Sequence, residues 1–306
     1  EMCIRDRPWV VVWDDHEVAN DNWREGAENH TEGKEGAFLD RRKAAMQAYF
    51  EWMPVRATNP SEQGHLYRSL TFGDLVELTM MDLRTYRDEQ VRFGPRKMAA
   101  EGRTMLGSEQ YNWLLNKIET SSAKWNMLGN SVMFSPMNLA TLQQDDKTKP
   151  VSSSLSSNIT GIPVNGDQWD GYSAERRLLI DALSKHDSHT LFVTGDIHSE
   201  WAHNISKDGR VFGAEMVCSS VSAPNVNEQL KLPEGNELSK LAERYLLGAN
   251  PHTRHVDLDH HGYSYVTVRP DSAEMHWLRV DNLLTAKSPV REAVTMTWRP
   301  GEGYTK

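Results

Sequence analysis

Cysteine is almost absent from this chain: Cys3 and Cys218 are the only two in 306 residues. That excludes a disulfide framework and a thiolate metal site of the Cys-x-x-Cys kind. No apolar run approaches the roughly 20 residues that a membrane-spanning helix needs. Basic residues are in deficit, with 34 Lys and Arg against 43 Asp and Glu and a net charge of -9. This charge is spread along the chain, so general nucleic-acid binding, which uses a basic face, is not expected. Metal sites built from carboxylates suit such a balance. No internal repeat is present, and the opening residues Glu1-Met2-Cys3-Ile4-Arg5-Asp6-Arg7 do not form a signal peptide. With 38% hydrophobic and 25% charged residues, the composition is that of an ordinary globular protein. The length suits one large domain or two small ones.

What is present begins with Trp9-Val10-Val11-Val12-Trp13, a strand-like apolar run that drops straight into Asp14-Asp15-His16-Glu17. Ionisable groups at the end of a core strand need a metal, a partner or a substrate to offset desolvation. In open α/β sheets the carboxyl edge of the strands is also where ligands bind.

Further along, the spacing of Phe38, Arg42, Ala45, Tyr49 and Met53 predicts a helix over 37–52, stopped by Pro54. Strands are expected at 66–72 and 75–83, joined by a Gly73-Asp74 turn. Gly107-Ser108-Glu109 opens a helix with Ser108 as N-cap and an apolar stripe of Tyr111, Leu114, Leu115 and Ile118. Residues 125–134 read as a strand and 143–166 as a long polar loop. Ser173 caps a helix to Lys185, 190–194 and 211–221 are strands, and a helix lies near Glu237. A β meander closes the chain at 263–268, 274–280 and 293–298. Strands alternating with helices, then antiparallel strands, indicate a layered α/β sheet fold.

The apolar strand Thr190-Leu191-Phe192-Val193-Thr194 ends in Gly195-Asp196-Ile197-His198, repeating the logic of the opening motif. A carboxylate and an imidazole two positions apart can face one centre where the chain turns, and together they suit Zn, Fe or Mn. Each motif alone also fits a solvated, hydrogen-bonded turn. Two of them, each after an apolar run, favour a metal centre with Asp15-His16 contributing from a neighbouring strand.

At this point a resemblance emerges. The stretches Trp13-Asp14-Asp15-His16-Glu17-Val18-Ala19-Asn20-Asp21, Met81-Asp82-Leu83-Arg84-Thr85-Tyr86-Arg87 and Trp125-Asn126-Met127-Leu128-Gly129-Asn130 resemble motifs of the alkaline phosphatase D (PhoD-like) family. So do Asp167-Gln168-Trp169-Asp170-Gly171-Tyr172, Thr194-Gly195-Asp196-Ile197-His198 and His261-Gly262-Tyr263. They follow the family's order and span nearly the whole chain.

The resemblance implies a calcineurin-like metallophosphoesterase fold: a four-layer α/β/β/α sandwich in a single domain over 1–306, here incomplete at the N-terminus. It implies hydrolysis of phosphate mono- or diesters by metal-activated water, with Fe3+ and Ca2+ as cofactors about 3.5–4 Å apart. In the superfamily pattern Asp15 falls on a metal-ligand position and His16 on the catalytic one, stabilising or protonating the leaving oxygen. Asp196 and His198 fall on two further ligand positions, with Asp196 replacing a histidine, which makes the site harder and favours calcium or iron over zinc. Arg84 is the candidate for binding a phosphate oxygen through its guanidinium, or else a strand-end arginine in a salt bridge. Asn130 is either a site-lining amide or a turn residue, and Trp169 and Tyr172 are packing residues.

The family's upstream motifs, a cysteine and a Gly-Asp-x-x-Tyr segment, have no counterpart here. The chain is therefore expected to be the later part of an enzyme, binding metal weakly and turning over little by itself, with an exposed sheet edge where strands are missing. A small phosphate-ester substrate, a monomer and a periplasmic or extracellular location are the accompanying expectations. The alternatives are a metallohydrolase for another ester and a non-catalytic calcium-binding or carbohydrate-binding extracellular domain.

Overall fold

The computed structural model describes residues 8–57, 64–91, 94–141, 161–163 and 165–305. The chain runs through α1 (Phe38–Trp52), β1 (Arg68–Phe72), β2 (Val76–Met80), α2 (Pro95–Met98), α3 (Gly107–Thr120), β3 (Trp125–Asn130), β4 (Asn138–Thr141) and β5 (Gly161–Pro163). A 3-10 turn, Trp169–Tyr172, leads into α4 (Ser173–Leu183), β6 (His189–Thr194), β7 (Glu200–Lys207) and β8 (Arg210–Val217). The last part holds α5 (Val226–Gln229), α6 (Glu237–Ala249), β9 (Thr253–Asp257), β10 (Gly262–Arg269), β11 (Ser272–Val280), β12 (Val290–Arg299) and β13 (Gly303–Thr305).

Seven strands form one sheet in the order β1-β2-β3-β6-β8-β7-β9. Within it β2, β3, β6 and β8 run parallel, so their carboxyl ends share one edge. The closing meander forms a second, four-stranded antiparallel sheet, β10-β11-β12-β13. Neighbouring side chains of a strand point to opposite faces. Phe192 accordingly joins Leu128, Leu114, Ile118, Leu179 and Leu183 under helices α3 and α4. Leu191 instead joins Trp125, Met275, Trp277, Met296 and Trp298 between the two sheets. The indole N–H of Trp125 donates to the Arg269 carbonyl at 2.7 Å and that of Trp277 to Val217 at 2.9 Å, so these two tryptophans satisfy their polar atoms across the sheet interface. The architecture is thus mixed α/β, with a large mixed sheet, a small antiparallel sheet and helices. The outer face of the small sheet leaves Tyr263 and Tyr265 exposed.

The predicted elements from α1 to the closing meander form within a few residues of their expected limits. The opening run does not. Residues 9–13 belong to no strand, and Trp9 is 62% exposed. Trp13 is buried nonetheless, packed with Met46, Tyr49 and Leu66, and Arg68 donates to the Val11 carbonyl at 2.7 Å. Two helix starts also differ. Helix α3 begins at Gly107 without a cap from Ser108; Thr104 Oγ1 accepts the Gly107 N–H, and Glu175 accepts those of Met105 and Leu106. Ser173 is the first residue of α4 and makes no side-chain cap. Most of the 143–166 stretch read as a loop lies outside the described residues. No helix among the described residues is long and apolar enough to cross a membrane.

Candidate metal centre

The parallel strands deliver three turns to the same edge: 81–85 after β2, 131–135 after β3 and 195–198 after β6. The first is locked by Asp82, fully buried, whose Oδ1 accepts the backbone N–H of Arg84 and Thr85 at 3.1 and 3.0 Å. Gln110 reaches across from α3 and bonds both backbone groups of Asp82. This fixes the backbone that aims Arg84. In the third turn Asp196 and His198 both adopt left-handed conformations, φ 69° and 51°, which cost non-glycine residues free energy and cluster at functional sites.

Arg84, 1% exposed, reaches into a ring of carboxylates. Its Nε donates to Asp14 at 2.5 Å, its Nη1 to both oxygens of Asp167 at 2.9 Å, and its Nη2 to Asp196 at 3.3 Å. Asp15 stands 4.0 Å from Nη2. Arg87, also buried, adds a 2.6 Å bond to Asp167. Four aspartates thus face two arginines, an excess of two negative charges. Oxygens of Asp14, Asp15 and Asp196 lie within 4.8 Å of one another, a spacing that one cation can bridge.

The proton balance reflects that excess. Burial pushes Asp196 well above the usual carboxylate range, and the neighbouring Asp14 charge adds to the shift. Burial works the same way on Asp14, but the Arg84 guanidinium outweighs it and its pKa falls below the ordinary value. The two carboxyls are hydrogen-bonded to each other. The two shifts run in opposite directions, as expected where like charges share a site.

Asp15 is buried and partly committed to its own turn: Oδ1 accepts the His16 N–H at 2.9 Å and Oδ2 the Asp21 N–H at 2.8 Å. His16 points outward with its side chain 80% exposed, Nε2 3.8 Å from Asp15. His198 stands apart from the three-aspartate group. Its Nδ1 lies 2.9 Å from the Pro224 carbonyl, a contact that fixes the proton there and leaves Nε2 as the free lone pair. Asn130 is occupied at both ends: its oxygen accepts the Trp169 indole N–H at 3.0 Å and its nitrogen donates to Thr194 Oγ1 at 3.0 Å. Beneath it Glu215, fully buried and pushed up by that burial, accepts from Phe134 N, Ser135 N and Thr194 Oγ1.

Sequence reasoning named Asp15, Asp196 and Arg84 among these residues and missed Asp14, Arg87, Asp167 and Gln168. Each of the four lies inside a motif already recognised, beside or near a residue that was chosen. Asp167 and Gln168 come from a tightly packed segment. A Cβ on Gly171 would lie 2.0 Å from the Gly166 carbonyl oxygen, and one on Gly166 only 1.9 Å from that of Val91.

Comparison with known proteins gives one family, described as PhoD-like phosphatase, whose model matches residues 3–277. Alkaline phosphatase D of Bacillus subtilis (strain 168) is 35% identical over 279 residues, covering 86% of this chain and 42% of that protein. A solved structure described as "Structure of PhoD" superposes with a TM-score of 0.78 at 28% identity, covering 98% of this chain and 54% of the other. The chain spans about half the length of the relatives it matches.

Proposed function

The chain belongs to the PhoD-like phosphatase family, and from that premise we propose that it carries the cation-binding, leaving-group side of a metal-dependent phosphoric ester hydrolase. The observation that supports this most is the convergence of Asp14, Asp15 and Asp196 at the carboxyl edge of the parallel strands, with more negative charge than Arg84 and Arg87 offset. An all-oxygen donor set of that charge fits hard cations, calcium and ferric iron among them. His198, through its free Nε2, is the proposed nitrogen ligand, set on the turn that also carries Asp196.

When bound, such a cation supplies Lewis acidity toward an attacking water and a phosphoryl oxygen. The chain's own residues then divide the remaining tasks. Arg84, held rigidly at its base by the Asp82 turn, presents a planar guanidinium to a phosphate oxygen once a cation takes over part of its carboxylate partners. Arg87 keeps Asp167 in place. His16, exposed at the rim, protonates the leaving alkoxide or phenolate. Its exposure to water suits a donor that must meet differently shaped leaving groups. The proposal extends to a small phosphate-ester substrate and to an exported, periplasmic or extracellular location, as the family resemblance implies.

The test is hydrolysis of an aryl phosphate monoester and diester with Ca2+ and Fe3+ supplied and with both chelated. Turnover by this chain is expected to be low even with both cations, and chelation is expected to abolish what there is. His16→Ala, which removes a solvent-exposed ring, is expected to leave the fold intact and lower kcat by about 10²–10⁴-fold. Hydrolysis that survives chelation, or a His16→Ala variant at full rate, would refute the assignment.

A further inference from the structure

Gln168 is 1% exposed, and its side-chain oxygen Oε1 has no hydrogen-bond partner among the described residues. Its Nε2 lies 3.4 Å from Asp196 Oδ2, a long contact. The amide head is thus at the carboxylate centre with neither end well satisfied. A buried, unpartnered amide oxygen is destabilising, and buried polar groups of that kind are rare unless they serve a ligand. The backbone cannot relieve it. The Gly171 N–H donates to the Gln168 carbonyl at 2.9 Å, and the neighbouring Trp169 is pinned by Asn130. The terminal torsion of glutamine is soft and roughly two-fold, so a half-turn exchanges Nε2 and Oε1 at the same place.

We propose that Gln168 is a ligand as well as a packing residue: its Oε1 joins Asp14, Asp15 and Asp196 as a neutral fourth oxygen donor to a hard cation of the calcium class. The assignment rests on the cation-binding role of that centre proposed above. A neutral oxygen raises the coordination number without adding charge to a centre already two charges in excess, and calcium takes six to eight oxygens of mixed type.

The experiment uses the full chain, with Ca2+ and Tb3+ as probes, comparing wild type with Gln168→Leu and Gln168→Glu. Without cation, Gln168→Leu is expected to melt at or above the wild-type temperature, because an unsatisfied amide becomes an apolar group of similar size. With cation the order reverses. Gln168→Leu should bind Ca2+ about tenfold more weakly. Tb3+ luminescence decay in H2O and D2O should report about one more coordinated water than in wild type. Gln168→Glu, which keeps an oxygen in place, should bind at least as tightly as wild type and guards against a Leu variant that fails to fold. Equal affinity and equal hydration in the Leu variant, or weaker binding by the Glu variant, would overturn the Gln168 assignment and leave the centre standing. Wild type that binds neither probe would overturn both.

Discussion

Acid should weaken this fold through a histidine far from the aspartates. His252 precedes β9 and is half-buried, its ring 5.4 Å from that of His203 on β7. Burial pushes its pKa down to about 4, against a partial opposing effect from its hydrogen bond to the Pro136 carbonyl; that bond is 2.8 Å long. The unfolded chain takes up the proton near pH 6.5, while the folded chain resists until about pH 4. Between those values the unfolded state binds more protons, so stability rises with pH across the window and is lost as pH falls through it. Each unit of difference is worth about 1.4 kcal/mol. From pH 7.5 down to 4.5, a site with these pKa values loses about 2.5 kcal/mol. His203, fully buried and held well below the ordinary histidine range by that burial, acts in the same direction. The assay is urea unfolding at both pH values for wild type and for His252→Gln, which keeps a donor for Pro136 but cannot charge. The variant should lose about 2.5 kcal/mol less than wild type over the same pH drop. Parallel losses, within about 0.5 kcal/mol, would show that His252 titrates normally and that its burial is not felt as desolvation.

Two further outcomes follow from packing. Arg279 on β11 bonds Glu200 at 2.6 and 3.0 Å and Asp257 at 2.9 Å, tying the small sheet to β7 and β9. Arg279→Met leaves Glu200 with His255 and Asp257 with His260 in place of a guanidinium, and should cost about 3 kcal/mol in urea unfolding, while adding Glu200→Leu recovers part of that; a loss below about 1 kcal/mol refutes it. Gly171→Ala forces a methyl onto the Gly166 carbonyl. It should destabilise by about 2 kcal/mol and weaken Ca2+ binding in calorimetry by shifting Asp167 and Gln168, and unchanged values in both would refute it.

Much of the centre is legible in sequence because apolar runs that stop abruptly at charges mark strand ends. That logic located Asp196 and the turn after β6. Asp15 joins the same group of carboxylates for a partly different reason, since the run before it is not a strand. What sequence could not give is side-chain direction. In a strand Asp14 and Asp15 would point to opposite faces; in the turn that forms, both contribute oxygens to one cluster. His198 shows the converse. An i, i+2 spacing suggests that it faces the same way as Asp196, but the left-handed backbone at both residues turns its Nδ1 to Pro224. Asp167 was invisible because its meaning lies in Arg84 and Arg87, at 83 and 80 positions' distance. No local periodicity records such a pairing.

Arg84 meets partners 70, 83 and 112 positions away in the chain. Such separations bear on time as well as energy. Long loops lose their entropy before their closing contact returns anything, so the ring around Arg84 is expected to close late in folding. A cation that recognises only the closed ring then has no grip on the transition state. Its presence should leave the refolding rate unchanged and slow unfolding by the full factor of its binding, so that the metal acts on how long the native state lasts rather than on how quickly it is reached.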